Sequence, residues 1–149
     1  ALLDNSRFRE WLALVAEDVG YQMATRTSLH RKEGSGIDLQ STTPANWGFL
    51  ELMVRRNAEI PSAYDREPPP RTRRIVSNVM VYKTELADEF QVESLLLLLR
   101  SQYDMPTMDM FSARRHDVVR KTAEGLRLKN RLIVPDQSTL SGPFTTTIF

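Results

Sequence analysis

Cysteine is absent from this 149-residue chain, and histidine occurs only twice, at His30 and His116. Without cysteine the chain forms no disulfide, no thiolate nucleophile and no cysteine-held zinc or iron–sulfur site. Two histidines leave room for at most one small imidazole-based site. An excess of one charge sign is missing too: 20 basic residues stand against 19 acidic ones, a net of +1, which is not the footprint of a nucleic-acid-binding domain. No long apolar run is present. Runs such as residues 95–99 and 11–16 are far short of the roughly 20 residues that a membrane span needs. No charged-then-apolar leader with a small-residue cleavage site opens the sequence, which begins at Ala1 rather than Met. The expectation is a cytoplasmic protein that engages neither membrane nor nucleic acid.

What is present suits one domain over residues 1–149. A chain of this size buries roughly 68–70% of its unfolded surface and so forms a core unaided. Hydrophobic residues make up 41% of it, and 16 of its 20 basic residues are arginine. Arginine is favoured over lysine where carboxylates are paired bidentately and where subunits meet.

Apolar periodicity orders the elements. Phe8, Trp11, Leu12, Val15 and Ala16 fall at helical spacing, which predicts a first helix. Asp4, Asn5 and Ser6 offer cap oxygens ahead of it, and Gly20 stops it. Residues 21–26 alternate as a short strand, and residues 30–36 are charged and glycine-containing, hence a loop or wide hairpin end. Thr43 before Pro44 is a helix-start signal for a second helix. Its stripe is Leu50, Met53, Val54 and Asn57, with Trp47 one turn earlier, and Pro61 ends it. Residues 62–70 close on the stiff run Pro68-Pro69-Pro70. Strands follow: one from Arg71 with apolar residues on both faces (Ile75, Val79, Val81 against Val76, Met80, Tyr82), which predicts a central strand; a long one over residues 90–103; one over 110–121; and one over 125–134, joined to its predecessor by a short turn at residues 123–125. The Thr-rich tail, residues 138–149, is expected to add an edge segment. Helices first and an antiparallel meander after is an α+β pattern. A long curved sheet around an N-terminal helix is the geometry of the NTF2-like (cystatin-like) cone.

Three constellations bear on chemistry. His30 and His116 show no ligand spacing towards each other, so two ordinary polar histidines outweigh a two-histidine, one-carboxylate iron site. Asp18 and Tyr21 lie near a possible mouth of the cone, where small NTF2-like enzymes carry acid–base groups; a capping or ion-paired Asp18 and a packed Tyr21 outweigh a catalytic pair. Arg71, Arg73 and Arg74 are three arginines within four residues, but alternation splits them between two faces, with Arg74 beside Val76 and Asn78. That is a poor phosphate stripe and better suits buried or interfacial ion pairs.

Three blocks together resemble a known family. They are Leu2-Leu3-Asp4 with residues 7–14, Glu17-Asp18 and Tyr21; residues 67–74 (Glu-Pro-Pro-Pro-Arg-Thr-Arg-Arg) with Ser77-Asn78-Val79; and Arg114-Arg115, Asp117, Arg120, Gly125-Leu126-Arg127-Leu128, Arg131, Ile133 and Asp136-Gln137. In this order the chain resembles the small (β) subunits of Rieske-type aromatic-ring-hydroxylating dioxygenases. It departs from them at Ala24, where they usually carry proline, and across residues 28–45.

The resemblance implies an NTF2-like cone assembled as three large and three small subunits. In such enzymes the large (α) subunit holds a Rieske [2Fe–2S] cluster and a mononuclear Fe(II). It adds both atoms of O₂ to an aromatic ring, giving a cis-dihydrodiol, with electrons from NAD(P)H through a reductase and sometimes a ferredoxin. The small subunit is regarded as structural. No catalytic, cofactor-binding or metal-binding residue of the family falls on this chain, so none is expected here. The candidate subunit contacts are Arg71, Arg73, Arg74 and Asn78. The rival reading from another class is a free-standing NTF2-like isomerase or dehydratase, with Asp18 and Tyr21 as its acid–base site.

Overall fold

The computed structural model describes residues 2–30, 32, 34–40, 42, 44–59, 70–102, 104, 106–139 and 147–149. A 3₁₀ turn (Leu3–Asn5) leads into α1 (Phe8–Leu12), β1 (Val15–Met23), the two-residue strands β2 (Thr25–Arg26) and β3 (Ile37–Asp38), and α2 (Trp47–Glu59). Four long strands follow: β4 (Arg71–Lys83), β5 (Glu89–Ser101), β6 (Asp109–Thr122) and β7 (Gly125–Pro135). The main sheet runs β1-β7-β6-β5-β4, antiparallel except for the parallel pair β1/β7. This is the α+β arrangement expected.

Several local expectations are corrected. The first helix stops at Leu12, not Gly20, and the chain is already in β1 at Val15. Val15 and Val19 are buried in one cluster with Trp11 and Leu12, so helical spacing and burial coincide although the backbone has changed type. Asp4, Asn5 and Ser6 do not cap α1, whose preceding residue Arg7 makes no side-chain cap. Instead, Ser6 adopts a positive φ of 56° that turns the chain, and Asp4 bonds to Arg74. The second helix starts at Trp47 rather than Pro44, because the Asn46 side chain accepts the Phe49 N–H at 3.0 Å and so acts as its cap. The Thr43 cap, the helix end at Pro61 and the proline run at 68–69 lie outside the described residues.

The turn between β6 and β7 is as expected, with Thr122 paired to Gly125 and φ of 119° at Gly125. β4 is an edge strand, not a central one. Residues 140–146 of the expected edge segment lie outside the described residues; at its end Ile148 and Phe149 are buried inside the molecule.

The strand register sorts the sheet's two faces, since residues directly opposite each other share a face. On the inner face Leu98 meets Phe111, Leu96 meets Ala113, and Arg115 meets Ile133. Leu96, Leu98, Phe111, Ala113, Ile133 and Phe149 form one core cluster, and α1, α2, β1 and Ile148 form a second. Tyr21 touches both. Each fully buried Leu, Ile or Phe among them contributes about 1.5–3 kcal/mol.

Two bulges shift this register. In β4, Ser77 opposes Leu95 but Met80 opposes Glu93, so one extra residue is inserted where Asn78 takes a φ of 50°. In β7, Val118 opposes Asn130 but Val119 opposes Leu128, so Lys129 is the extra residue.

Candidate functional site

The inner face carries a row of polar groups that the sheet brings together from four strands. Asp117, Arg131 and Tyr21 lie side by side across β6, β7 and β1, with Arg115 and Ser94 beside them on β6 and β5. Arg131 donates through Nε and Nη2 to the two carboxylate oxygens of Asp117, at 2.8 and 2.6 Å. Both side chains are almost wholly buried, so the bidentate geometry is what offsets their desolvation. Burial alone pushes the Arg131 guanidinium towards losing its proton, but the bonds to Asp117 outweigh it and hold the pKa above the ordinary value. The next arginine, Arg115, donates to Ser94 Oγ at 3.2 and 3.1 Å. Its pKa is pushed down, first by burial and then by Arg131 nearby.

The row ends on the chain's own tail. The Tyr21 hydroxyl donates to the Phe149 carbonyl and accepts the Phe149 N–H, each at 2.8 Å. Arg131 Nη1 donates to the same carbonyl at 2.6 Å, and Arg74 Nη2 donates to the Ile148 carbonyl at 2.7 Å. The Phe149 ring packs on Phe111 with centroids 4.4 Å apart. Desolvation raises the Tyr21 pKa above its ordinary value. Tyr21 is therefore a packed, doubly bonded anchor for the tail.

Asp18 is elsewhere. It is half exposed and pairs with Arg120 at 3.1 Å and Lys129 at 2.9 Å. The hydrogen bond from Lys129 first, and that from Arg120 after it, hold its carboxyl below the ordinary range. Asp18 and Tyr21 thus share a strand but no partner. His116 Nδ1 sits 3.5 Å from Glu93 Oε1 on β5, while His30 lies in the loop between β2 and β3. No group of three metal-ligating side chains forms among the described residues.

The arginine block divides. Arg74 points inward, where Nη1 donates to Asp4 Oδ1 at 2.5 Å and its backbone N–H donates to Asp4 Oδ2 at 3.2 Å. Arg71 and Arg73 are exposed on the outer face, opposite Ser101 and Leu99, and Asn78 is exposed at the bulge.

Around them the outer face carries apolar side chains interleaved with Gln91, Glu93 and Arg114. Ile75 opposes Leu97, Met80 opposes Glu93, Tyr82 opposes Gln91, and Leu99 opposes Met110. Ile75, Met80, Tyr82, Leu95 and Met110 are each 37–50% exposed. On the other face of the same strand Val79 and Val81 reach 58% and 61%.

The model of the family described as "Ring hydroxylating beta subunit" matches residues 1–142. The chain belongs to the ring-hydroxylating β-subunit family. The β subunit of biphenyl 2,3-dioxygenase from Rhodococcus jostii (strain RHA1) is 33% identical over 144 residues, covering 93% of this chain and 76% of that protein. Among solved structures, naphthalene 1,2-dioxygenase with indole bound in its active site superposes with a TM-score of 0.79 at 23% identity, over 94% of this chain and 74% of that one. An NTF2-like protein with a cystatin-like fold from Novosphingobium aromaticivorans superposes with a TM-score of 0.59 at 12% identity, over 99% and 80%. The NTF2-like fold is therefore as expected. This β subunit is the small subunit of a multicomponent aromatic-ring dioxygenase, an oxidoreductase, and not a free-standing isomerase or dehydratase.

The sequence reading missed what fills the cone. Asp117 and Arg131 stand out in the sequence only as members of a family block, and nothing in its periodicity seats the end of the tail in the interior. The available signal was the apolar pair Ile148-Phe149 after a Thr-rich stretch.

Proposed function

We propose that this β subunit is a structural partner that docks its β4–β6 outer face onto an iron-bearing large subunit, in an assembly of three large and three small subunits. The observation that carries this reading is the exposed apolar face around Ile75, Met80, Tyr82, Leu95 and Met110. Arg71, Arg73 and Asn78 border it and supply polar contacts at its rim, as arginine does at subunit interfaces. Arg74 serves the same surface indirectly, by tying β4 to Asp4 inside the subunit. The donors on this chain do not fit a Rieske cluster, which needs two cysteines and two histidines. That cluster and the mononuclear Fe(II) belong to the large subunit in this reading. There they receive electrons from NAD(P)H through a reductase, with or without a ferredoxin, for the cis-dihydroxylation of an aromatic compound.

The test is co-expression with the large subunit followed by size-exclusion chromatography. The unaltered chain co-elutes in one large complex. The double variant Ile75→Glu/Met80→Glu keeps its far-UV circular dichroism and elutes alone. Co-elution of the double variant refutes the docking surface. An isolated chain that turns over an aromatic substrate, with activity lost in Asp18→Ala, refutes the structural role.

A further inference from the structure

A second concavity lies between α2 and the ends of β1 and β7. It encloses about 510 Å³, within the range of roughly 300–1,000 Å³ typical of small-molecule sites. Its wall is largely apolar, with Met23, Phe49, Leu50, Met53 and Phe149 among the lining residues. No residue of β4, β5 or β6 lines it among the described residues.

Two guanidinium groups face this wall. On α2, Phe49, Met53 and Arg56 fall at i, i+4 and i+7, so one helix row runs from a ring through a thioether to an exposed cation. Arg26, on β2, supplies the second. Its Nε donates to the Pro135 carbonyl at 2.5 Å, which fixes the guanidinium and leaves Nη1 and Nη2 without a partner among the described residues. Neither arginine meets a carboxylate, and no Asp or Glu lines the cavity among the described residues. Arg55, Arg74 and Arg131 differ in this, since they hold Glu59, Asp4 and Asp117. The concavity thus joins an apolar wall to two positive charges that the chain itself does not neutralise. A neutral hydrocarbon leaves both charges unanswered, and a cation is repelled. A carboxylate offers two coplanar oxygens to an Nη pair already held in place, the pairing that a guanidinium matches best. Because the fork is fixed beforehand, little ordering cost remains to be met on binding.

We infer that the cavity between α2 and β7 binds a small apolar carboxylate, its two oxygens on the Nη pair of Arg26 and its hydrocarbon body on Phe49, Met53 and Phe149, with Arg56 adding attraction from the solvent side. The site shares no residue with the docking face on β4–β6, so its failure leaves the assembly reading untouched.

Octanoate is the probe, titrated into the full chain by isothermal calorimetry. 1-Octanol, octylammonium and octyl phosphate carry other heads on the same body. Octanoate binds saturably at one site per chain, and tighter than the other three. Arg26→Met weakens it about tenfold, the scale of a lost charge-assisted hydrogen bond. Arg56→Met weakens it about threefold, as an exposed charge does. Met53→Trp fills the cavity and abolishes binding. Near-UV circular dichroism verifies the fold of each variant; where Arg26→Met or Met53→Trp does not fold, Arg56→Met and the comparison of heads decide. Absence of saturable octanoate binding, or its survival in folded Met53→Trp, overturns the site. Equal or tighter binding of another head, or unaltered affinity in the folded arginine variants, overturns the assigned ligand class.

Discussion

Tyr21 is the residue on which the two core clusters and the tail converge, and its hydroxyl is spent on the Phe149 backbone. Its raised pKa has a definite sign in stability. Below about pH 10 the hydroxyl is protonated in both folded and unfolded chains and contributes no pH dependence. Above it the unfolded chain ionises first while burial keeps the folded hydroxyl neutral, so stability falls as pH rises. Tyr21→Phe is expected to lose about 1–3 kcal/mol at neutral pH, because the buried Phe149 N–H loses its acceptor and the Phe149 carbonyl keeps only Arg131. It is also expected to show a shallower loss between about pH 9 and about pH 11. Urea unfolding across that range measures both; an unchanged slope contradicts the buried, protonated Tyr21. The arginines show the other side of the same economy of partners. Arg74 and Arg131 each hold a carboxylate and a tail carbonyl, so residues that look like a charged patch in sequence are internal braces.

At the scale of elements, the bulge in β4 decides which side chains meet a partner. Plain alternation puts Ile75, Val79 and Val81 on one face. The inserted residue at Asn78 instead joins Ile75 to Met80 and Tyr82. Asn78 holds a left-handed backbone, which asparagine and glycine tolerate and β-branched residues do not. Asn78→Gly is expected to stay within about 0.5 kcal/mol of the parent, and Asn78→Val to lose about 1–3 kcal/mol. Thermal melts of the two variants test this, and equal melting midpoints contradict it. Bulges also explain what sequence could not tell. The strands, the β6–β7 turn and the α+β order were legible, because alternation and turn residues are local signals. The Asp117–Arg131 pair was not: counting outward from Thr122 opposite Gly125 sets Asp117 against Asn130, and only the extra residue Lys129 brings Arg131 into line. The end of α1 was hidden for a different reason. Val15 and Val19 are buried whether the backbone coils or extends, so spacing could not separate helix from strand. The edge position of β4 was hidden because apolar residues on both faces look alike, whether covered by neighbouring strands or by another subunit.

Across the whole molecule, the NTF2-like cone has two surfaces with separate duties. The inner face is closed over β1, β7 and β6 by its own polar row and tail but leaves Val76, Val79 and Val81 exposed at β4, and the outer face carries apolar side chains among polar ones. The assembly is thus expected to be held by desolvation more than by charge. Elution of the complex should be unchanged between about 0.1 and about 1 M NaCl, since salt screens exposed ion pairs but does not weaken apolar contacts. Dissociation at high salt would place the binding energy on Arg71 and Arg73 instead.

The seat of Ile148 and Phe149 also sets an order in time. They join both clusters and bond to β1, β4 and β7, elements drawn from most of the chain's length. β1 itself pairs with β7, so the sheet's first strand waits for its last. Contacts of such long sequence separation form slowly. A nascent chain still lacking residues 147–149 therefore has the β4–β7 meander but no latch. In the assembly proposed above, the outer face of β4–β6 is therefore complete before residues 147–149 close the interior.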